Sequence, residues 1–250
     1  MGIAGRCHSG GRMTGVRLSA PAKLTLSLRV VGLRGDGYHL VDAEMVAIDL
    51  SDRLVISNGD GLQVVAADGG LEVVGGGDNL VAAALRLAGL TADVVVHKVV
   101  PAGAGLGGGS ADAAAILRWA GWTDVVGAAA IGADVSFCLV GGRARVTGIG
   151  EVVEPMAHRE AAFTLLIPPV GCPTADVYRR WDELGGPTGD NGNDLEPAAL
   201  DLVPDLARWR DELGDATGVR PRLAGSGGTW FVEGEYPGGG RRVVRTLPPA

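Results

Sequence analysis

Residues 101–111 read Pro-Ala-Gly-Ala-Gly-Leu-Gly-Gly-Gly-Ser-Ala. They stand between a β-like run, Asp93 to Pro101, and a helical run, Ser110 to Gly121. A strand, a glycine turn and a helix start, in that order, constrain the fold strongly. Glycine lacks a Cβ, so the backbone can curl and an anion can approach its amides. The following helix adds unpaired N–H groups and the positive end of its dipole. In physical terms the segment is a phosphate cradle. Its candidate nucleotide-binding residues are Pro101, Ala102, Gly103, Ala104, Gly105, Leu106, Gly107, Gly108, Gly109, Ser110 and Ala111.

Gly103, Gly105 and Gly108 formally satisfy the dinucleotide pattern G-x-G-x-x-G. That fold needs a second parallel strand after the helix, ending in an acidic residue. The residues after Gly121 leave little room for it, and the preceding strands are not in βαβ order. A Walker loop needs a Gly-Lys pair, and the chain has none.

The rest of the chain alternates strand and helix signals. Residues 16–33 predict a strand pair or one bent strand. Runs 43–50, 52–57, 62–67 and 71–74 predict further strands, separated by turns. Such repeated short strands predict a mostly antiparallel sheet. Asn79 opens a helix that closes at Gly89. Residues 133–156 read as a helical turn and a hairpin. A boundary near residue 150 divides an α+β chain into two domains, 16–150 and 151–250. In the second, 161–169 is a strand and 175–186 a helix. Residues 193–213 form two helices broken at Pro204, and 222–236 a strand, a glycine turn and a strand.

Composition narrows the function. Glycine is 42 of 250 residues, hydrophobic residues are 46% and aromatics 4%, so the core is built from Val, Leu, Ile and Ala. Such apolar content excludes disorder, and the absence of a G-X-Y period excludes collagen. A net charge of -7 argues against a general nucleic-acid binder, which needs a basic face. Cys7, Cys138 and Cys172 lack a metal-ligand spacing and predict free thiols in a reducing cytoplasm. Residues 1–15 lack the apolar core of a signal peptide and predict a disordered lead-in, with Met13 as another candidate start. No apolar run reaches the ~18 residues of a membrane span. The expected protein is cytoplasmic, a monomer or weak homodimer, and binds a small molecule.

The glycine loop resembles the Pro-x-x-x-Gly-Leu-Gly-Gly-Gly-Ser motif of the GHMP kinases. Pro21-Ala22-Lys23, followed by Leu-Thr-Leu, resembles their N-terminal motif, and Leu223-Ala-Gly-Ser-Gly-Gly-Thr229 their C-terminal glycine motif. Further segments resemble the branch that phosphorylates 4-diphosphocytidyl-2-C-methyl-D-erythritol. These are Arg34-Gly-Asp-Gly-Tyr-His39, Asp78-Asn79-Leu80, Gly132-Ala-Asp-Val-Ser-Phe137, Pro173-Thr174 and Asn193-Asp-Leu-Glu196. The match runs in order from about residue 16 to residue 233. It implies a two-domain GHMP kinase fold, with an N-terminal ribosomal-protein-S5-domain-2-like domain and a C-terminal ferredoxin-like domain. It also implies ATP with Mg²⁺, and a cytidine diphosphate alcohol phosphorylated at its 2-hydroxyl for isoprenoid precursor synthesis. Four departures stand out: Thr25 where the family usually has Asn, Ala111 where the loop has a second serine, a shortened 111–133 segment, and a short C-terminal domain.

The resemblance makes Asp134 the catalytic base and Lys23 its neighbour, stabilising a developing alkoxide. From the residues alone, Asp134 also reads as a helix N-cap or turn residue and Lys23 as a snorkelling edge lysine. Lys98 either reaches the nucleotide or faces solvent. Ser110 binds phosphate or Mg²⁺, caps the helix, or does both; no residue is assigned as a metal ligand. Asn79 contacts the nucleotide or is an ordinary N-cap. Thr25, Thr174, Gly225, Ser226 and Gly227 are candidate substrate contacts, the last three alternatively a tight turn. Tyr38 and Tyr178 are expected to clamp the cytosine ring, with His39 at its polar edge; Tyr178 alternatively packs on its helix's inner face. His8, His97 and His158 receive no role.

Overall fold

The computed structural model describes residues 15–66, 71–72 and 79–249. The expected lead-in, together with Cys7, His8, Asp78 and the ends of the strand runs at 67 and at 73–74, lies outside those residues. The first sheet begins with β1 (Val16–Leu33) and β2 (His39–Ser57), paired antiparallel along nearly their whole length. Residues 43–57 are one strand, because Ser51 and Asp52 stay in register against Pro21 and Ala20 instead of turning. Pro21 has no N–H to give the ladder, and the register slips between Pro21 and Lys23. β1 is buried on both faces from Ala22 to Thr25. The Arg34–His39 segment is the hairpin tip, closed by Arg34 N donating to Tyr38 O at 2.7 Å, with Gly37 at φ +90°.

The chain continues through β3 (Leu62–Val65), β4 (Leu71–Glu72), α1 (Leu80–Leu87) and β5 (Asp93–His97). Next come α2 (Gly108–Trp119), the four-residue α3 (Val125–Ala128), α4 (Ala133–Val140), β6 (Arg143–Gly148) and β7 (Val152–Met156). The sheet is antiparallel except for β3 beside β5. The second sheet has order β11-β8-β10-β9, from β8 (Ala162–Leu166), β9 (Arg222–Leu223), β10 (Trp230–Glu233) and β11 (Arg241–Arg245). Its helices are α5 (Thr174–Glu183), α6 (Glu196–Leu202) and α7 (Leu206–Thr217), with Pro204 in the break between the last two.

Residue 150 lies inside the β6–β7 turn, not at a boundary. β7 completes the first sheet, and the second begins only at Ala162. One face of the first sheet packs Leu54, Ile56 and Val94 against Ala84, Ile116 and Leu117 of α1 and α2. The other face packs Leu24, Val46 and Ile48 onto Phe163, Leu165 and Phe231 of the second sheet. Phe163 and Phe231 meet edge to face at 5.9 Å. After β11 the chain returns to the first sheet, with Leu247 N donating to Ala47 O at 2.8 Å.

Candidate active site

Past β5, Lys98 N still donates to Val65 O at 2.9 Å, and Asp52 takes the two amides that follow. Asp52 is fully buried in β2, and its carboxylate accepts from Val99 N and from Val100 N, the latter at 2.8 Å. Lys98 donates to Asp52 and, at 2.8 Å, to Asp112 of α2. Burial works against the Lys98 charge, but the two carboxylates overcome it and raise its pKa. Burial likewise lifts the Asp112 carboxyl, only partly offset by Lys98, to about 7. Lys98 thus neither floats in solvent nor stands free for a ligand: it ties strand to helix at the root of the glycine loop.

From this root the loop curls around a cavity of about 690 Å³. Its wall takes in Pro101 through Ser110, Asn79, Lys98 and Asp112, together with Lys23, Asp134, Thr174 and Ser226. Helix α2 begins two residues earlier than expected, at Gly108, with Gly107 in the left-handed N-cap position at φ +68°. Ser110 therefore lies inside the first turn and does not cap it. Ala111 points into the core and is absent from the cavity wall, so its expected ligand contact is corrected. Asn79 is an N-cap, accepting from Val81 N at 2.8 Å, and also faces the cavity.

The loop docks onto β1 and onto the second glycine turn. Lys23 N donates to Leu106 O at 3.0 Å. A Cβ on Gly107 would lie 2.8 Å from Lys23 Cγ, so glycine is required there by contact as well as by φ. Gly105 and Gly227 meet backbone to backbone: a Cβ on Gly227 would sit 2.1 Å from Gly105 N. Gly225, at φ +62°, packs over Lys23 and Thr25. Ser226 Oγ and Thr174 Oγ1 share a hydrogen bond of 2.8 Å, joining this turn to α5. Buried Asn193 donates to Leu223 O and Gly225 O and holds the turn in place. Asp194 accepts from Arg29, Val30 N and Gly189 N, fixing the far half of β1.

Asp134 sits in the first turn of α4, not at its cap, and its carboxylate is one-third exposed toward Lys23. Lys23 Nζ lies 3.3 Å from Asp134 Oδ2 and donates to Thr25 Oγ1 at 3.0 Å. Thr25 is thus a holder of the lysine. The aromatic residues fall differently from expectation. Tyr178 stacks on His39, centroids 4.7 Å apart, and His39 Nε2 lies 2.9 Å from Asp182 Oδ1. Tyr38 is 58% exposed, with the Arg34 guanidinium over its ring. The structure does not bring Tyr38 and Tyr178 face to face; His39 occupies the space on Tyr178. The Tyr178 hydroxyl pKa is raised by burial first and by Asp134 second, which puts that ring at the Asp134 end of the site.

Asp52, Asp112, Asp182 and Asn193 are the structural supports that sequence reasoning missed as individual residues. Asp52 gave no distinctive signal, because β2 also carries Asp42, Glu44 and Asp49; only its burial, costly without partners, sets it apart.

No family model matches the chain. It is 35% identical over 256 residues to a Dinoroseobacter shibae protein named 4-diphosphocytidyl-2-C-methyl-D-erythritol kinase, covering 91% of this chain and 88% of that one. A Paracoccus denitrificans protein of the same name is 37% identical, with 86% and 85% covered. The crystal structure of a 4-(cytidine 5'-diphospho)-2C-methyl-D-erythritol kinase superposes with TM-score 0.73 at 28% identity, over 92% of this chain and 98% of that one. A homoserine kinase from Cytophaga hutchinsonii shares the fold, with TM-score 0.62 at 16% identity and 98% of both chains covered.

Proposed function

The chain belongs to the 4-diphosphocytidyl-2-C-methyl-D-erythritol kinase family, and from that membership we propose how its own residues carry the reaction. It is a phosphotransferase with an alcohol acceptor, moving the γ-phosphate of ATP to the 2-hydroxyl of 4-diphosphocytidyl-2-C-methyl-D-erythritol in the non-mevalonate isoprenoid pathway. The observation that carries the reading is the Lys23–Asp134 pair, 3.3 Å apart, lining the same cavity as the glycine loop.

Phosphoryl transfer depends mostly on position and charge. The amides of Gly103 to Gly109 and the N-terminus of α2 receive the nucleotide phosphates. Asp134 takes the proton of the acceptor hydroxyl. Lys23, steadied by Thr25, stabilises the oxygen as it attacks. Ser226 and Thr174 bind the acceptor's own phosphates. The cytosine is received at the His39–Tyr178 stack, with Tyr38 as its exposed outer wall and His39 moving off Tyr178 to admit it.

Mg²⁺ keeps several waters and usually takes only one or two protein ligands beside substrate phosphates. The site fits that demand, because Asp112 Oδ1 is buried without a hydrogen-bond partner two residues from Ser110. Ser110 and Asp112 would hold the ion, which would neutralise charge on the nucleotide phosphates.

The test is ADP release over a panel of alcohols: the cytidine diphosphate alcohol, homoserine and mevalonate derivatives. The first alone should support turnover. Equal turnover on homoserine, or none on any alcohol while ATP still binds, would overturn the assignment.

A further inference from the structure

Among the described residues, every arginine side chain has an interaction partner except three: Arg17, Arg53 and Arg242. All three line one groove of about 670 Å³, on the side of β1 and β2 turned away from the helices, beside β11. In the β1–β2 register Ser19 opposes Arg53 and Arg17 opposes Val55, so the two arginines are diagonal neighbours on one face. Such neighbours stand about 7–8 Å apart. Arg242 enters from the second sheet. Ser19 and Ser51 add hydroxyls, while Leu18 and Val243 add apolar lining. The one carboxylate on the wall is Asp49, already engaged with Arg245 N at 2.8 Å.

Three uncompensated guanidiniums around one hollow repel each other. A chain of net charge -7 had acids to spare for them, and its other described arginines each have a partner, an acid for Arg29 and Arg145 and a backbone carbonyl for Arg118 and Arg222. A bound anion relieves the repulsion. Guanidinium forks match phosphate oxygens two at a time, and three of them match the charge of a diphosphate. The volume is that of a small-ligand site, within roughly 300–1,000 Å³, and the net negative charge disfavours a long polyanion. We propose that this groove is a second anion site, which takes the diphosphate group of a small metabolite. It is separate from the nucleotide cavity, sharing only Val99 with it.

The test is calorimetric titration of the full chain with inorganic pyrophosphate while the glycine loop is saturated with a non-hydrolysable ATP analogue. Wild type should take up one further equivalent. The folded Arg17→Ala/Arg53→Ala/Arg242→Ala variant should bind it at least about a hundredfold more weakly, since three charge-assisted donors are lost at once. ATP turnover should be unchanged. A second arm uses butyl diphosphate: tighter binding than pyrophosphate assigns a diphosphate ester, and otherwise free pyrophosphate is the ligand. The site is refuted if loop-saturated wild type takes up no pyrophosphate, or if the triple variant, with unaltered circular dichroism and Tm, binds it like wild type. An analogue that fails to bind speaks against the nucleotide cradle, and the variant's lost pyrophosphate equivalent still reports the groove.

Discussion

At the scale of single residues, the chemistry rests on which partners each charged group has. Asp134 spends none of its hydrogen-bonding capacity on capping α4 and faces Lys23. Asp134→Asn keeps the shape and removes the base, so turnover should fall about 10²–10⁴-fold with ATP affinity nearly intact. Steady-state rates with a direct ATP-binding measurement check this, and retention of half the wild-type rate contradicts it. Tyr38 makes little burial of its own, so its ring is available to a base. Stacking is worth about 1–3 kcal/mol per base. Tyr38→Ala should therefore raise the apparent constant for the cytidine substrate roughly five- to a hundredfold and leave that for ATP alone. Tyr38→Phe should be close to silent. Equal losses for both substrates would make Tyr38 structural.

At the scale of elements, the glycine loop is shaped from outside itself. Its root hangs from Asp52, its middle rests on Lys23, and its inner turn lies against Gly227. Gly107→Val would force a β-branched side chain into both a left-handed φ and the Lys23 side chain. Isothermal titration should show ATP affinity lost in a protein that still folds. The Lys98–Asp112 link makes helix α2 sensitive to pH. The Asp112 carboxyl lies at about 7 in the fold, burial being the main cause, against an ordinary 3.8. A raised folded-state value means the contribution to stability is fully present below the unfolded value and is lost as pH rises through the folded one. Between pH 4 and pH 7 the unfolded chain releases a proton that the folded chain keeps, and stability falls; above that window this slope vanishes. Asp112→Asn should remove the slope. Denaturant melts of both proteins across pH 4–8 check it, and parallel curves would reject it.

At the scale of the whole molecule, the two sheets are not independent bodies. Leu24, Val46 and Ile48 bury their side chains against Phe163, Leu165 and Phe231, and the C-terminal residues return to the first sheet at Ala47 and Gly141. Calorimetry should show one cooperative transition. Deleting residues 247–250 should lower Tm, because Leu247 N donates to Ala47 O and Pro249 bridges to Gly141. Two separate transitions, or an unchanged Tm after the deletion, would show the halves to be autonomous.

Local chemistry made much of this legible in the linear chain. Glycine spacing announced the phosphate loop, since glycine takes φ near +70° without steric cost at Gly103, Gly105 and Gly107. Asn79 and Gly89 announced the ends of α1, because caps depend on neighbours in sequence. The ordered motifs announced the kinase. Three-dimensional pairing decided the rest. Ser51 and Asp52 look like a turn locally, yet a partner strand keeps them extended. The Lys98 ion pairs join residues 46 and 14 positions apart. The stack of His39 on Tyr178 joins a hairpin tip to a helix of the other sheet. Periodicity and propensity act over a few residues. Which buried charge meets which partner depends on contacts distant in the chain, and those exist only once the two sheets have closed on one core.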